Sequence, residues 1–191
     1  MSMGLLLIMA ALILTIYNLW DENRARENVA FVIEQIEDTD TVADAEEKKN
    51  EKPEYEIYPD MEMPTIEIDG HYYIGTLEIP VYGLKLPVME EWSYPKLKIS
   101  PCRYYGSAYR DDMIIAAHNF SSHFGQIKNL IAGDEVIFTD VDGNRFIYQV
   151  MNIEILGKYD GVKLEEGDWD LTLFTCTYGG RTRVTIRCAK K

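Results

Sequence analysis

The run TLFTCTYGGRTRVTIRCAK, residues 172–190, reads as two β-strands joined by a tight turn. Its first half, from Asp170, is rich in branched and aromatic residues and stops at Cys176. Tyr178-Gly179-Gly180 supplies the turn, because glycine accepts the left-handed backbone that such connections need. Side chains alternate between the two faces of a strand. Arg183, Thr185 and Arg187 therefore share one face. Val184, Ile186 and Cys188 share the other, which reads Cys188 as a core residue. The hairpin makes Cys176 and Arg183 neighbours.

Working outward, the same pattern recurs over Tyr72–Ile79, Lys85–Met89, Arg103–Tyr109, Met113–Asn119, Glu135–Asp140 and Arg145–Leu156. Together with Trp169–Thr177 and Arg183–Ala189 this makes about eight short strands, the mark of an all-β barrel or sandwich. Val141-Asp142-Gly143-Asn144 carries an Asp-Gly hairpin signal. One short helix is predicted over Phe124–Leu130. No phosphate-binding glycine motif is present, so nucleotide binding has no support.

The N-terminal end differs. Residues 4–20, GLLLIMAALILTIYNLW, contain no charge and are nearly all apolar. As a helix this run spans roughly 25 Å, close to a bilayer's hydrocarbon core, with Tyr17 and Trp20 placed as interfacial aromatics. No small-residue cleavage site follows, which favours an uncleaved anchor over a signal peptide. Three segments follow from this: a transmembrane anchor over 1–20, a spacer over 21–56 and a β-domain over 57–191. Val29, Val32, Ile33 and Ile36 have helical spacing, so a short amphipathic helix continues from the anchor. The acidic run after it reads as an extended, solvated linker that holds the domain off the membrane.

The net charge is −13, from 19 basic and 32 acidic residues, which argues against nucleic-acid binding. That charge is uneven. Residues 171–191 contain Arg181, Arg183, Arg187, Lys190 and Lys191 and no acid. Three cysteines, at 102, 176 and 188, are too few and too scattered for a disulfide scaffold or a CxxC zinc site. Cys176, at a strand end beside a glycine turn and near these cations, is a candidate nucleophile, since cations favour the thiolate. A buried structural cysteine is the competing reading. Ile114 to Asn119 is a strand ending in His118, a candidate proton carrier near neutral pH and a partner for Cys176. His123 reads as a surface residue and His71 as a turn residue. A guanidinium at Arg183 suits a carbonyl oxygen or a developing oxyanion.

The 172–190 stretch, with its TLxTC pattern at Thr172–Cys176, resembles the signature of the sortases, the membrane-anchored cysteine transpeptidases of Gram-positive surfaces. AAHNFSSHFGQIKNL resembles their histidine segment, and YIGTLEIP followed by LPVM resembles their first barrel strands. The likeness covers roughly residues 66–191. It implies a closed eight-stranded sortase-like β-barrel with short helices, preceded by a transmembrane helix. Carried onto matching positions, it implies Cys176 as nucleophile, His118 as general acid/base and Arg183 as the oxyanion or positioning residue. Thr175, Thr177 and Arg187, around the same hairpin, are expected to contact substrate. The implied reaction cleaves an LPxTG-like sorting signal through a Cys thioester. The acyl group then passes to a peptidoglycan amine or a pilin lysine.

The resemblance also implies a location in the cell membrane, N-terminus inside and catalytic domain outside. An Asp-Pro-aromatic lid and a second C-terminal membrane segment, common in the pilin-polymerising class C, are not seen. A class D-like or other anchoring class is therefore expected. No cofactor is expected. Calcium, which some relatives bind, would have to use acids such as Asp111, Asp112, Glu165, Glu166 and Asp168, whose spacing is irregular. Two alternatives stand beside the transpeptidase: a membrane-tethered cysteine peptidase that gives its thioester to water, and a non-catalytic wall-binding β-barrel with an inert Cys176.

Overall fold

The computed structural model of the chain describes residues 2–40 and 52–191. A 39-residue helix, α1 (Ser2–Asp40), comes first. A single turn, α2 (Glu54–Ile57), leads to β1 (Ile66–Ile68), β2 (His71–Ile79) and β3 (Leu84–Met89). The turn α3 (Tyr94–Leu97) precedes β4 (Cys102–Tyr105) and β5 (Met113–Ala117). The hairpin β6 (Glu135–Asp140) and β7 (Arg145–Gly157) follows, then α4 (Gly161–Glu165), β8 (Leu171–Cys176) and β9 (Thr182–Lys190).

The strands form one sheet in the order β1-β2-β3-β4-β5-β8-β9-β7-β6, and β2 also pairs with β6. That last pairing closes eight strands, β2 to β9, into the expected all-β barrel, with β1 as a short added edge. Most pairs are antiparallel, but β5 and β8 run parallel, from Met113↔Leu171 to Ala117↔Thr175. Both are buried on both faces, as continuous apolar strands must be. Met113, Ile115, Leu171 and Leu173 point into the barrel, where they meet Phe138, Phe146, Tyr148, Val184 and Ile186. Ile114, Ala116 and Phe174 point outward and are covered by Leu156 and by Leu164 of α4. The Asp-Gly hairpin forms as read, pinned by the buried Asp140 carboxylate, which accepts from the backbone N–H groups of Asp142 (3.0 Å) and Asn144 (2.8 Å).

Two readings change. The helix expected over Phe124–Leu130 is a single 3₁₀ turn at Ile127–Asn129, because the chain coils back so tightly that Gly125 lies against the Phe120 carbonyl. The amphipathic helix expected to follow the apolar run does continue it, as part of α1, but it docks on the barrel rather than standing in a spacer. Asp21, Ala25, Val32 and Ile36 are buried there. Val32 and Ile36 pack with Ile68, Tyr73, Met89 and Cys102 on the barrel wall. Glu37 reaches Lys85 at the start of β3 (2.7 Å). The amphipathic stripe was legible, but its docking partner lies 30 or more residues away in sequence, across a gap that propensity cannot bridge. The acidic linker reading falls largely on residues 41–51, which lie outside the described residues.

Gly75 sits at the bulge in β2 on the closing seam, with φ near +150°. A Cβ there would stand 2.0 Å from the Thr139 carbonyl oxygen of β6. Gly75→Ala is expected to lower the unfolding free energy by roughly 3 kcal/mol, read from urea denaturation, because backbone rather than a flexible side chain must give way.

Candidate active site

One end of the barrel collects the C-terminal ends of β5, β7 and β8 and the start of β9. Cys176, the last residue of β8, is exposed and free. The parallel register places Ala117 opposite Thr175, so His118 emerges beside Cys176. The antiparallel register pairs Cys176 with Arg183 directly. The structure thus brings His118, Cys176 and Arg183 to three adjacent strand ends. Cys188 faces the core, as the alternation required.

The three side chains differ in environment. Arg183 Nη1 donates to the Lys158 carbonyl at 2.6 Å, which ties the guanidinium to the end of β7. His118 is half-buried and stacks on Phe120, with ring centroids 3.9 Å apart. Burial, reinforced by the Lys98 cation, holds its imidazole below the usual histidine range; Asp21 and Glu22 of α1 oppose that shift. Burial pushes the thiols of Cys102 and Cys188 up to about 12.

The residues expected to bind substrate are placed otherwise. Thr175 is buried, and its hydroxyl donates to the Ala117 carbonyl (2.9 Å), locking the β5–β8 pairing. Thr177 spends its hydroxyl on Thr182, with the two oxygens 2.8 Å apart, and so rigidifies the turn after Cys176. Arg187 is 3% exposed. Its guanidinium binds Glu154 (2.7 Å), the Leu164 carbonyl (2.7 Å), the Thr172 hydroxyl (3.0 Å) and the Lys163 carbonyl. It is the clip that fastens α4 over β8 and β9, not a free substrate contact. The alternation rule found the right face but not the layer that covers it.

His123 is the second correction: it is fully buried rather than on the surface. Burial, with the neighbouring His118, pushes its pKa down to about 4. Other contributors were not singled out in the sequence. Asp21 joins Lys98 at 3.3 Å and Arg24 at 3.0 Å. Glu22 accepts from the backbone N–H of Ser121 at 2.9 Å and from its hydroxyl. The usable signal was a stripe at helical spacing, Asp21, Ala25, Val29, Val32 and Ile36, whose first member is an acid. Of the acids considered for calcium, Asp111 pairs with Lys190 (2.7 Å), and Asp112 accepts from the Ser107 N–H (2.7 Å). Among the described residues no three acidic, histidine or cysteine side chains gather as a metal site.

An exposed thiol flanked by an imidazole and a guanidinium on a closed barrel has the make-up of a cysteine acyl-transfer enzyme. The Sortase domain family profile matches residues 77–191, and the chain belongs to the sortase family. Solved structures agree on the fold. Sortase C1 from Streptococcus agalactiae aligns with a TM-score of 0.57 at 24% identity, covering 75% of this chain and 79% of that one. Clostridium perfringens sortase C, solved with the C-terminal cell wall sorting motif, aligns at 0.55 and 24% identity, covering 62% and 70%. A lid mutant of sortase A from Corynebacterium diphtheriae aligns at 0.54 and 20% identity, covering 62% and 70%. A search of curated proteins finds no match. The chain is a sortase-type cysteine transpeptidase.

Two measurements follow from these environments. At neutral pH iodoacetamide is expected to modify Cys176 alone in the folded protein, read by peptide mass spectrometry, with Cys102 and Cys188 reacting only after unfolding. His123 is neutral when folded and takes a proton near 6.5 when unfolded, so the unfolded state binds more protons below that pH. Stability is expected to fall as pH drops from about 6.5 towards about 4. A His123→Phe variant should show a shallower loss over that window in urea melts.

Proposed function

We propose that Cys176, His118 and Arg183 carry the transpeptidase reaction on an LPxTG-like sorting signal, at a membrane surface to which α1 anchors the barrel. The observation that carries this reading is the register: two independent strand pairings converge on one exposed thiol. Cys176 Sγ, as thiolate, attacks the carbonyl carbon before the scissile bond. The Arg183 guanidinium, on the paired residue, stabilises the oxyanion that forms. The C–N bond breaks, the His118 imidazolium gives its proton to the departing amine, and a thioester remains on Cys176. An incoming amine, from peptidoglycan or a pilin lysine, then loses a proton to His118 as its nitrogen attacks the thioester carbonyl. The product is an amide, and the thiolate is restored.

The apolar part of α1 supports the anchor. Residues 3–20 are exposed throughout and form a helix long and apolar enough to cross a membrane. In the orientation we propose, the N-terminus is inside and the barrel outside. The chain lacks an Asp-Pro-aromatic lid segment, which favours an anchoring role over pilin polymerisation.

Trapping tests the reading. Incubation with LPxTG-like peptides should yield a Cys176 acyl-enzyme by intact-mass spectrometry, discharged to an amide when a glycyl amine is added. Cys176→Ala should abolish the adduct. Arg183→Ala should lower turnover by roughly a hundredfold, as loss of one oxyanion donor does. A variant that accumulates adduct at the normal rate without Arg183 would remove that residue from the reaction.

A further inference from the structure

The anchor helix does more than tether. α1 is continuous from its apolar segment into the part that docks on the barrel. The docked part starts at Asp21, which is 5% exposed, immediately after Trp20. It meets the barrel at the end where Cys176 lies and runs along the wall to Lys85 at the start of β3.

We propose that the first turn of α1 beyond its apolar segment is part of the active site, with Glu22 as a positioning residue that holds the His118–Phe124 loop beside Cys176. The proposal rests on the reading of His118 as the general acid/base. The loop is folded on itself by Phe124 N–H to the His118 carbonyl (3.2 Å), His123 N–H to the Phe120 carbonyl (3.0 Å) and the stack of His118 on Phe120. Glu22 ties that folded loop to another element: one carboxylate oxygen, Oε1, receives both the N–H and the hydroxyl of Ser121. The Ser121 hydroxyl bond in turn keeps the Glu22 carboxyl below its usual range, so the tie is charge-assisted.

Charge points the same way. His118 faces Lys98 from the segment before β4, Asp21 and Glu22 from α1, and His123 from its own loop. Cys176 of β8 and Arg183 of β9 stand at the adjoining strand ends. Lys98 disfavours the imidazolium that must protonate the leaving amine. Asp21 ion-pairs with Lys98, and Asp21 and Glu22 together favour the protonated ring. The docked helix therefore supplies anions that favour the protonated form of His118.

The test uses the full chain in phosphatidylcholine nanodiscs, with an LPxTG-like peptide and a glycyl amine. Glu22→Ala should lower kcat about tenfold, the effect of one lost charge-assisted bond, with KM for the peptide within about twofold. The limb of its kcat/KM pH profile that reports His118 should move to lower pH, since His118 has lost a stabilising anion. Glu22→Gln keeps an acceptor for Ser121 and removes the charge, so it should restore most of kcat while the His118 limb stays shifted. It also carries the test if Glu22→Ala does not fold. A normal kcat and pH profile in Glu22→Ala overturns the proposal. So does a lower Tm with an unmoved pH profile, which marks a merely structural tie. Activity in His118→Ala would instead defeat the reading of His118, and is separable from either result.

Discussion

The pairing of β5 with β8 is the constraint on which the site depends. It is a parallel pair, so its two C-terminal ends lie at the same end of the barrel. An antiparallel pairing would have sent His118 and Cys176 to opposite ends. Parallel neighbours need a long crossover, and here the crossover is the β6–β7 hairpin with the α4 connection. The buried Thr175 hydroxyl, donating to the Ala117 carbonyl, holds the register at the last position before the reactive ends. A slip of β8 by one residue would turn Cys176 to the other face, away from His118.

The cationic final strand plays a different part from the one its composition suggests. Arg187 spends its charge inside the molecule, on two carbonyls of the α4 connection, on Glu154 and on Thr172. A buried guanidinium needs that many acceptors to offset its lost hydration. Arg183, four residues earlier on the same face, lies where the covering layer ends and keeps contact with the open rim. The same residue type on the same strand is thus structural at one position and available at another, and the boundary is the edge of α4.

The apolar segment, the docked helix and the barrel form one physical unit in this protein. The apolar segment, the docked turns and the histidine loop are linked through a continuous helix and the Asp21–Lys98 and Glu22–Ser121 contacts. Because docking begins directly after Trp20, the apolar segment leaves the barrel at the end where Cys176 lies.

Much of this was legible in the residues. Alternation along 183–188 assigned Cys188 to the core, the Asp-Gly signal located the β6–β7 turn, and the TLxTC and histidine segments carried the family resemblance. These are local signals, set by side-chain period, turn chemistry and short motifs. They determined the barrel class, the nucleophile candidate and its two partners. Tertiary structure decided what covers each face. It buried Arg187 and His123, committed Thr175 and Thr177 to the backbone of the site, and laid α1 against the histidine loop. Burial is a property of two surfaces, and a sequence displays only one of them at a time. Asp21 and Glu22, directly after the apolar run, acquire their partners only when the element they pack against is in place.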